Sequence, residues 1–446
     1  MKLPFFLLLT AISLFSLPLS AQNWSLEHLP GDQAIAGASG TVVGNKIIIA
    51  GGVRSDQSSS DGVFIYDVTT GTWTEATLAA PRESLPGVTV GNKAIFAGGG
   101  KWAPGTGYVE SPLIDIYDAV SDVWTTDTLP LAAPRLGVAL AAIGDKVYMA
   151  GGQDINGFES NQMFVYHPET GIFQNTTMPY AASYSFAAAA GSKLLLFDWV
   201  RCMIFDTATE TWNIHEFDTE RTRYGCTIVT PEEVWFVGGL PYLIDVYNIS
   251  DGTWSTRNTQ YRHVSALGAY VDGKVLIAGG GNGVTSSSTS IVEVYNVALD
   301  GWEDTQLLSA PRQFFLWNPM TAPVIGNKAY FPGGMATNDW TGFSGNMDIY
   351  SAQVSGTNTS VSGGFEITCS PSPFSEYVQI RPQPSQSIEG GLIEICNLHG
   401  RLMYSQMIPV PFTKEITVPT QEWPAGAYLL RFRYKEGMAV RKIIKN

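Results

Sequence analysis

Residues 44–73 read GNKIIIAGGVRSDQSSSDGVFIYDVTTGTW, and the number of times this phrase returns decides the fold. A Gly44-Asn45-Lys46 turn leads into an apolar strand ending in Gly51-Gly52; a variable loop follows, then a strand carrying Tyr66, a second turn and Trp73. The paired glycines recur at Gly98-Gly99, Gly151-Gly152, Gly238-Gly239, Gly279-Gly280 and Gly333-Gly334, and Lys193 to Asp198 fills one further slot without them. The aromatic of the third strand forms the series Tyr66, Tyr117, Tyr166, Phe205, Tyr247, Tyr295 and Tyr350. Seven positions beyond the first six of these aromatics stand Trp73, Trp124, Phe173, Trp212, Trp254 and Trp302. A constant offset of this kind marks one supersecondary unit repeated along the chain. Gly, Asn and Asp tolerate the positive φ of tight hairpins, so each unit is expected to hold four short antiparallel strands.

Units of about fifty residues with this pattern resemble kelch repeats, which form the blades of β-propellers. The resemblance implies an all-β fold: a seven-bladed kelch-type β-propeller followed by a small C-terminal β-sandwich. The last unit has Tyr350 but no Trp seven positions on. Its missing piece lies at the other end, where Trp24-Ser-Leu-Glu-His-Leu29-Pro30 parallels Trp73 to Leu78 and Trp124 to Leu129-Pro130. Trp24 is therefore expected to form the outer strand of the last blade and close the ring, removing the exposed edges of an open array. The recurrent glycines let blades approach and the Tyr and Trp rings fill the wedge between them, a packing role rather than a ligand box.

The two ends differ from the repeats. Lys2, the apolar run Leu3 to Leu17 and the small residues of Leu19-Ser20-Ala21 read as a signal peptide over 1–21. The propeller then occupies 22–350, a Ser/Thr/Gly-rich linker 351–364, and a β-sandwich 365–446. In the tail, Pro371-Ser-Pro373-Phe374, Ile393 to Leu402, Trp423-Pro-Ala-Gly426-Ala-Tyr428-Leu-Leu and the basic finish Val440 to Asn446 follow in order. That series resembles the C-terminal sorting domain of type IX secretion cargo in Bacteroidetes, with Ser372 standing where the family has Asn. The resemblance implies the type IX secretion machinery as a partner and a secreted or outer cell-surface location. No other stretch approaches the length of a transmembrane span. Of the four cysteines, Cys369 and Cys396 lie in strand-like tail segments where an oxidising compartment would allow them to pair, and Cys202 and Cys226 read as core residues.

With 40 Asp+Glu against 26 Lys+Arg, the chain repels nucleic acid and anionic lipid, and neither is expected as a partner. His28, His167, His215, His263 and His399 are scattered, with no spacing for a metal or a catalytic triad, so no metal or cofactor is expected. Galactose oxidases are propellers of this type, but their set of His, Tyr and Tyr-bound Cys has no convincing counterpart here. In a four-stranded blade, the uniform short turns gather on one face. The long loops 53–61, 101–112, 154–161, 281–289 and 335–345 gather on the other with the crossovers between blades, and binding residues favour such loops. Arg82, Arg135, Arg223, Arg262 and Arg312 stand near the starts of inner strands on that face, and Trp102, Tyr108, Phe158, Trp199, Tyr242 and Trp340 are its loop aromatics. Guanidinium forks bind carboxylate or sulfate and aromatic faces stack on sugars, so an anionic glycan or a surface protein is the expected ligand of a binding or adhesion module. The bland alternative for each arginine is a structural ion pair with an acid such as Glu83. The rival function is a glycan-active, sialidase-like enzyme on the same face, with Tyr224 and Glu83 near the arginines; the third is a purely structural surface protein.

Overall fold

The computed structural model describes residues 23–103, 105, 107–129, 136–154, 156–183, 186–221, 225–238, 242–281, 287–314, 321–337, 342–352, 367–370, 374–382, 391–397, 402–408, 415–424, 426–434 and 437–445. Residues 1–21, read above as a signal peptide, and 353–364 of the expected linker lie outside them. The chain is almost entirely β, and between Trp24 and Ser351 it forms seven antiparallel blades with four strand positions each. Blade 1 runs Ser39–Val43, Lys46–Ala50, Gly62–Asp67 and Thr72–Thr77 from inside outward. Blade 2 repeats this with Gly87–Val90, Lys93–Ala97, Leu113–Asp118 and Val123–Thr128, and blade 3 with Leu136–Ile143, Lys146–Gln153, Ser160–His167 and Ile172–Ala182. Blade 4 is Phe186–Ala190, Lys193–Phe197, Arg201–Asp206 and Thr211–Glu216; blade 5 is Cys226–Val229, Glu233–Val237, Leu243–Asn248 and Trp254–Asn258. In blade 6, Leu267–Val271, Lys274–Ala278 and Ile291–Asn296 carry an outer strand split into Gly301–Trp302 and Gln306–Leu307.

Blade 7 is built from both ends of the propeller. Val324–Ile325, Lys328–Pro332 and Asn346–Ser351 supply three strands and Trp24–His28 the fourth, with Trp24 opposite Tyr350. The seven-residue offset in the sequence now has a geometric meaning. It places each Tyr directly across the third hairpin from its partner, as in Tyr66 with Trp73 and Tyr247 with Trp254, and Trp24 with Tyr350 reproduces the pair without the hairpin. Ring centroids in these pairs lie 4.8 Å apart for Tyr66–Trp73, 4.5 Å for Tyr166–Phe173 and 5.2 Å for Trp24–Tyr350, within the range of favourable aromatic contacts.

The core is a ring of wedges, each shared by two consecutive blades. Ile48 and Ile65 of blade 1 pack with Phe96 and Tyr117 of blade 2, Ile95 and Ile116 of blade 2 with Met149 and Tyr166 of blade 3, and so on round. The last wedge joins Tyr330, Met347 and Ile349 of blade 7 to Ile47, Phe64 and Tyr66 of blade 1. Closure is thus achieved by a strand and by a hydrophobic cluster together.

The Gly-Gly signature makes room for the crossover into the next blade. A Cβ on Gly51, at φ 69°, would lie 2.5 Å from the Arg82 carbonyl oxygen, and the Gly52 N–H donates to that same oxygen at 2.9 Å. Blade 4 lacks the glycines and shortens instead. Asp198 accepts the N–H groups of Val200 and Arg201 at 2.8 Å, tying the second-to-third connection into a tight turn.

The tail is a separate pair of sheets. Ile367–Ser370, Tyr377–Pro382 and Ile416–Pro419 form one, and Leu402–Ile408, Gly391–Asn397, Gly426–Tyr434 and Gly437–Lys445 the other. Val378, Ile380, Ile393, Ile395, Tyr428 and Leu430 are buried in one cluster of this unit. Cys369 and Cys396 are buried and are not joined as a disulfide.

Candidate functional site

On the face that gathers the long loops, four blades share a device invisible in any one repeat. Two residues before the third-strand tyrosine stands an acid: Asp115, Asp245, Glu293 and Asp348, preceding Tyr117, Tyr247, Tyr295 and Tyr350. Each pairs with a basic side chain on the crossover into its own blade: Arg82 with Asp115, Arg221 with Asp245, His263 with Glu293 and Arg312 with Asp348. Arg221 is bidentate, at 2.6 and 2.9 Å, and Arg82 also donates to the carbonyls of Gly98 and Leu113 at 2.9 and 2.8 Å. His263 reaches the Gly279 carbonyl through Nδ1 and Glu293 through Nε2, both at 2.7 Å. His263 thus bridges the main chain and the acid of its blade, as Arg82 does in blade 2. The acids also hold the crossover main chain. Asp115 accepts the Ala79 N–H at 3.1 Å, Glu293 that of Gln260 at 2.7 Å, and Asp348 that of Ser309 at 3.0 Å. In blades 1, 3 and 4 the acid's slot holds Phe64, Phe164 and Met203.

This corrects the placement of the arginines. Arg82 and Arg312 are each 1% exposed and bind acids inside their own blades, so neither offers its guanidinium at the rim. Burial pulls both groups' pKa down, and the paired aspartates oppose that shift. The partner of Arg82 is Asp115, not the adjacent Glu83. In blade 5 the latch is Arg221, two residues before the expected Arg223, and in blade 6 it is His263 rather than Arg262. Arg262 instead lies over the Tyr242 ring, with its guanidinium carbon 5.3 Å from the centroid, and Tyr242 has a φ of 84°, unusual for a bulky residue. Trp199 sits half-buried on the tight turn of blade 4, its carbonyl accepting the Arg221 N–H at 2.7 Å. Arg135, Arg223, Tyr224 and Trp340 lie outside the described residues.

Trp102 and Tyr108 come together. The connection from the second to the third strand of blade 2 forms its own ribbon, Gly100–Ala103 against Gly107–Glu110, with Trp102 directly opposite Tyr108. Trp102 is 64% exposed, and Phe158 of the corresponding blade 3 loop is 71% exposed. Beside the ribbon, Glu83 is only 7% exposed, and burial pushes its carboxyl pKa up to about 7. Glu110 is also raised, first by burial and less by the charge of Asp154.

The axis of the ring is different in character. A cavity of about 410 Å³ is lined from all seven blades, by Thr41, Thr89, Leu140, Ala187, Thr227, Tyr270 and Val324 among others. Among the described residues that line it there is no Asp, Glu, Lys, Arg or His. Its hydroxyls bond to one another and to main chain, as in Thr41 with Thr89 at 2.9 Å and Thr321 with the Thr227 carbonyl at 3.0 Å.

Seven blades of this pattern, closed by the first strand, define a kelch-type β-propeller. Comparison with known proteins agrees, and adds the address. Residues 34–77 match the Kelch motif, and residues 369–446 match the Secretion system C-terminal sorting domain. Kelch-like protein 25 of Xenopus tropicalis is 23% identical over 239 residues, 49% of this chain and 40% of that protein, so this chain spans well under half of the curated relative. The solved structure of YjhT covers 72% of this chain and 95% of its own, at 13% identity and a TM-score of 0.47. The tail is a type IX sorting domain and indicates export and outer-surface attachment. Among the described residues no helix is long and apolar enough to cross a membrane.

Proposed function

We propose that this chain is an exported binding protein whose propeller captures a protein or glycan ligand on its loop face, while the tail directs secretion. The observation that carries this reading is the pair of large aromatic side chains, Trp102 and Phe158, held out on long loops of neighbouring blades. Exposed aromatics on a rigid scaffold are what recognition surfaces use. Expected ligands bind the immobilised full-length chain on a peptide or glycan array, and Trp102→Ala lowers that binding at least tenfold while the melting temperature stays put. Binding indifferent to both Trp102→Ala and Phe158→Ala would place the recognition surface elsewhere.

A glycan-active reading has one observation in its favour, since a carboxyl titrating at about 7, as Glu83 does, suits a general acid. Release of reducing sugar from a bound glycan, abolished by Glu83→Gln, would select it over capture alone.

A further inference from the structure

The ribbon of blade 2 and the crossover strand beside it place two carboxylates and two aromatic rings on one face. Glu83 pairs with Gly100, its N–H donating to the Gly100 carbonyl at 2.7 Å and its carbonyl accepting the Gly100 N–H at 3.1 Å. Gly100 pairs in turn with Glu110, and two residues along Trp102 pairs with Tyr108. Directly paired residues project to the same side of a sheet, and so do residues two apart. Glu83, Glu110, Trp102 and Tyr108 therefore share a face, with the Tyr108 ring lying over Gly100 at its centre. The Tyr108 ring confirms the parity: its Cε1 occupies the space a Gly100 Cβ would need, and its hydroxyl donates to the Glu83 carbonyl at 3.3 Å.

The face runs from an exposed Trp102 to a Glu83 that is more than nine-tenths buried. Among the described residues the Glu83 carboxylate has no hydrogen-bond or ion-pair partner, and one Glu110 oxygen is buried without one. Uncompensated buried carboxylates are costly, and the cost is relieved by a cation. Trp and Tyr faces attract the same cations. A sugar hydroxyl would fill a hydrogen bond here and leave the charge unmet. A long flexible stem ending in a charge can pass the two rings and reach the buried carboxylate, which an amine fixed on a sugar ring cannot.

We infer that this face is a slot for a Lys or Arg side chain of a partner protein, entering past Trp102 and Tyr108 to pair with Glu83 and Glu110. The inference rests on the reading of the loop face as the binding surface. The formal net charge of −14 favours approach by a basic partner. Because Glu83 must be ionised to pair, affinity falls as the pH drops through about 7.

The test is selection of a random peptide library on the immobilised full-length chain, beside a glycan array holding both amino and N-acetylated sugars. Selected peptides are expected to share one Lys or Arg, and its replacement by norleucine should weaken binding at least tenfold. Glu83→Gln should weaken the parent peptide equally and leave the norleucine peptide unchanged, since either change removes the same ion pair. Neutral or acidic peptides, or sugars, that lose binding in Trp102→Ala but not in Glu83→Gln would overturn the basic-side-chain assignment and leave the binding face standing. Amino sugars in place of basic peptides would overturn it too. No ligand from either selection, or ligands indifferent to Trp102→Ala, would sink the binding-face reading and this inference with it.

Discussion

A carboxyl group that titrates at about 7 in the fold and near its ordinary value when unfolded binds protons more tightly in the native state. Glu83 therefore favours folding fully at pH values below the unfolded pKa, and that contribution is lost as pH rises from there through about 7. Above pH 7 the ionised, buried side chain weighs against the fold by about 3 kcal/mol. Gln has the same shape and no charge. Glu83→Gln should match the parent in urea unfolding at pH 4 and exceed it at pH 8 by up to about 3 kcal/mol. A stability difference that does not widen between those two pH values would mean the carboxyl is not desolvated. A residue kept where it destabilises the native state is a reasonable place to look for function. Sequence made Trp102 and Tyr108 legible as loop aromatics. Glu83 was legible as an acid beside Arg82, an ion-pair partner or a sialidase-like candidate, but not as a buried carboxyl, because burial comes from the ribbon that folds beside it and from no local pattern.

The cation–acid latches belong to the scale of the element, since each fastens a crossover to the third strand of the blade it opens. Removing the cation strands a buried carboxylate: Arg312→Ala should cost about 3–5 kcal/mol in denaturant unfolding. Replacing both partners by apolar residues should recover most of that loss, as in Arg312→Met with Asp348→Leu. Blades 1, 3 and 4 already carry Phe64, Phe164 and Met203 in the acid's slot. An unchanged unfolding midpoint in the single variant would show that the pair contributes nothing to holding blade 7. The latches also show what a single chain reveals and what it hides. Strands, turns and blade number were legible because the Tyr-to-Trp offset is the register of one hairpin, a local quantity that survives in six of the seven repeats. The arginines were legible as a recurrent feature but not in their role, because the acids they meet lie 33 residues on for Arg82 and 36 for Arg312. Blades 5 and 6 hid the device further, one by moving the cation to Arg221 and the other by using His263.

At the scale of the molecule, the ring exists because a strand from one end of the propeller completes a sheet begun at the other. Trp24 anchors that strand by packing on Tyr350 and Phe331, with ring centroids 5.2 and 5.6 Å away, and by donating its indole N–H to Gln306 of blade 6. Its partner was legible because Trp24 to Pro30 repeats the outer-strand phrase of blades 1 and 2 without the inner strands that should precede it. In repeat architectures each unit is stabilised mainly by its neighbours, so damage at the closure should spread from blade 7 rather than strike all blades alike. Trp24→Ala removes a large half-buried aromatic and should cost about 3 kcal/mol. Amide hydrogen exchange should quicken first in Trp24–His28 and Asn346–Ser351, next in the facing strands of blades 1 and 6, and least in Leu136–Ile143 and Phe186–Ala190 across the ring. Exchange that quickened uniformly would mean the ring opens as a single cooperative unit. Exchange that did not change at all would mean that Asn346–Ser351 is held by the wedge with blade 1, where Met347 and Ile349 meet Ile47 and Tyr66, and that the first strand merely covers an edge already fixed.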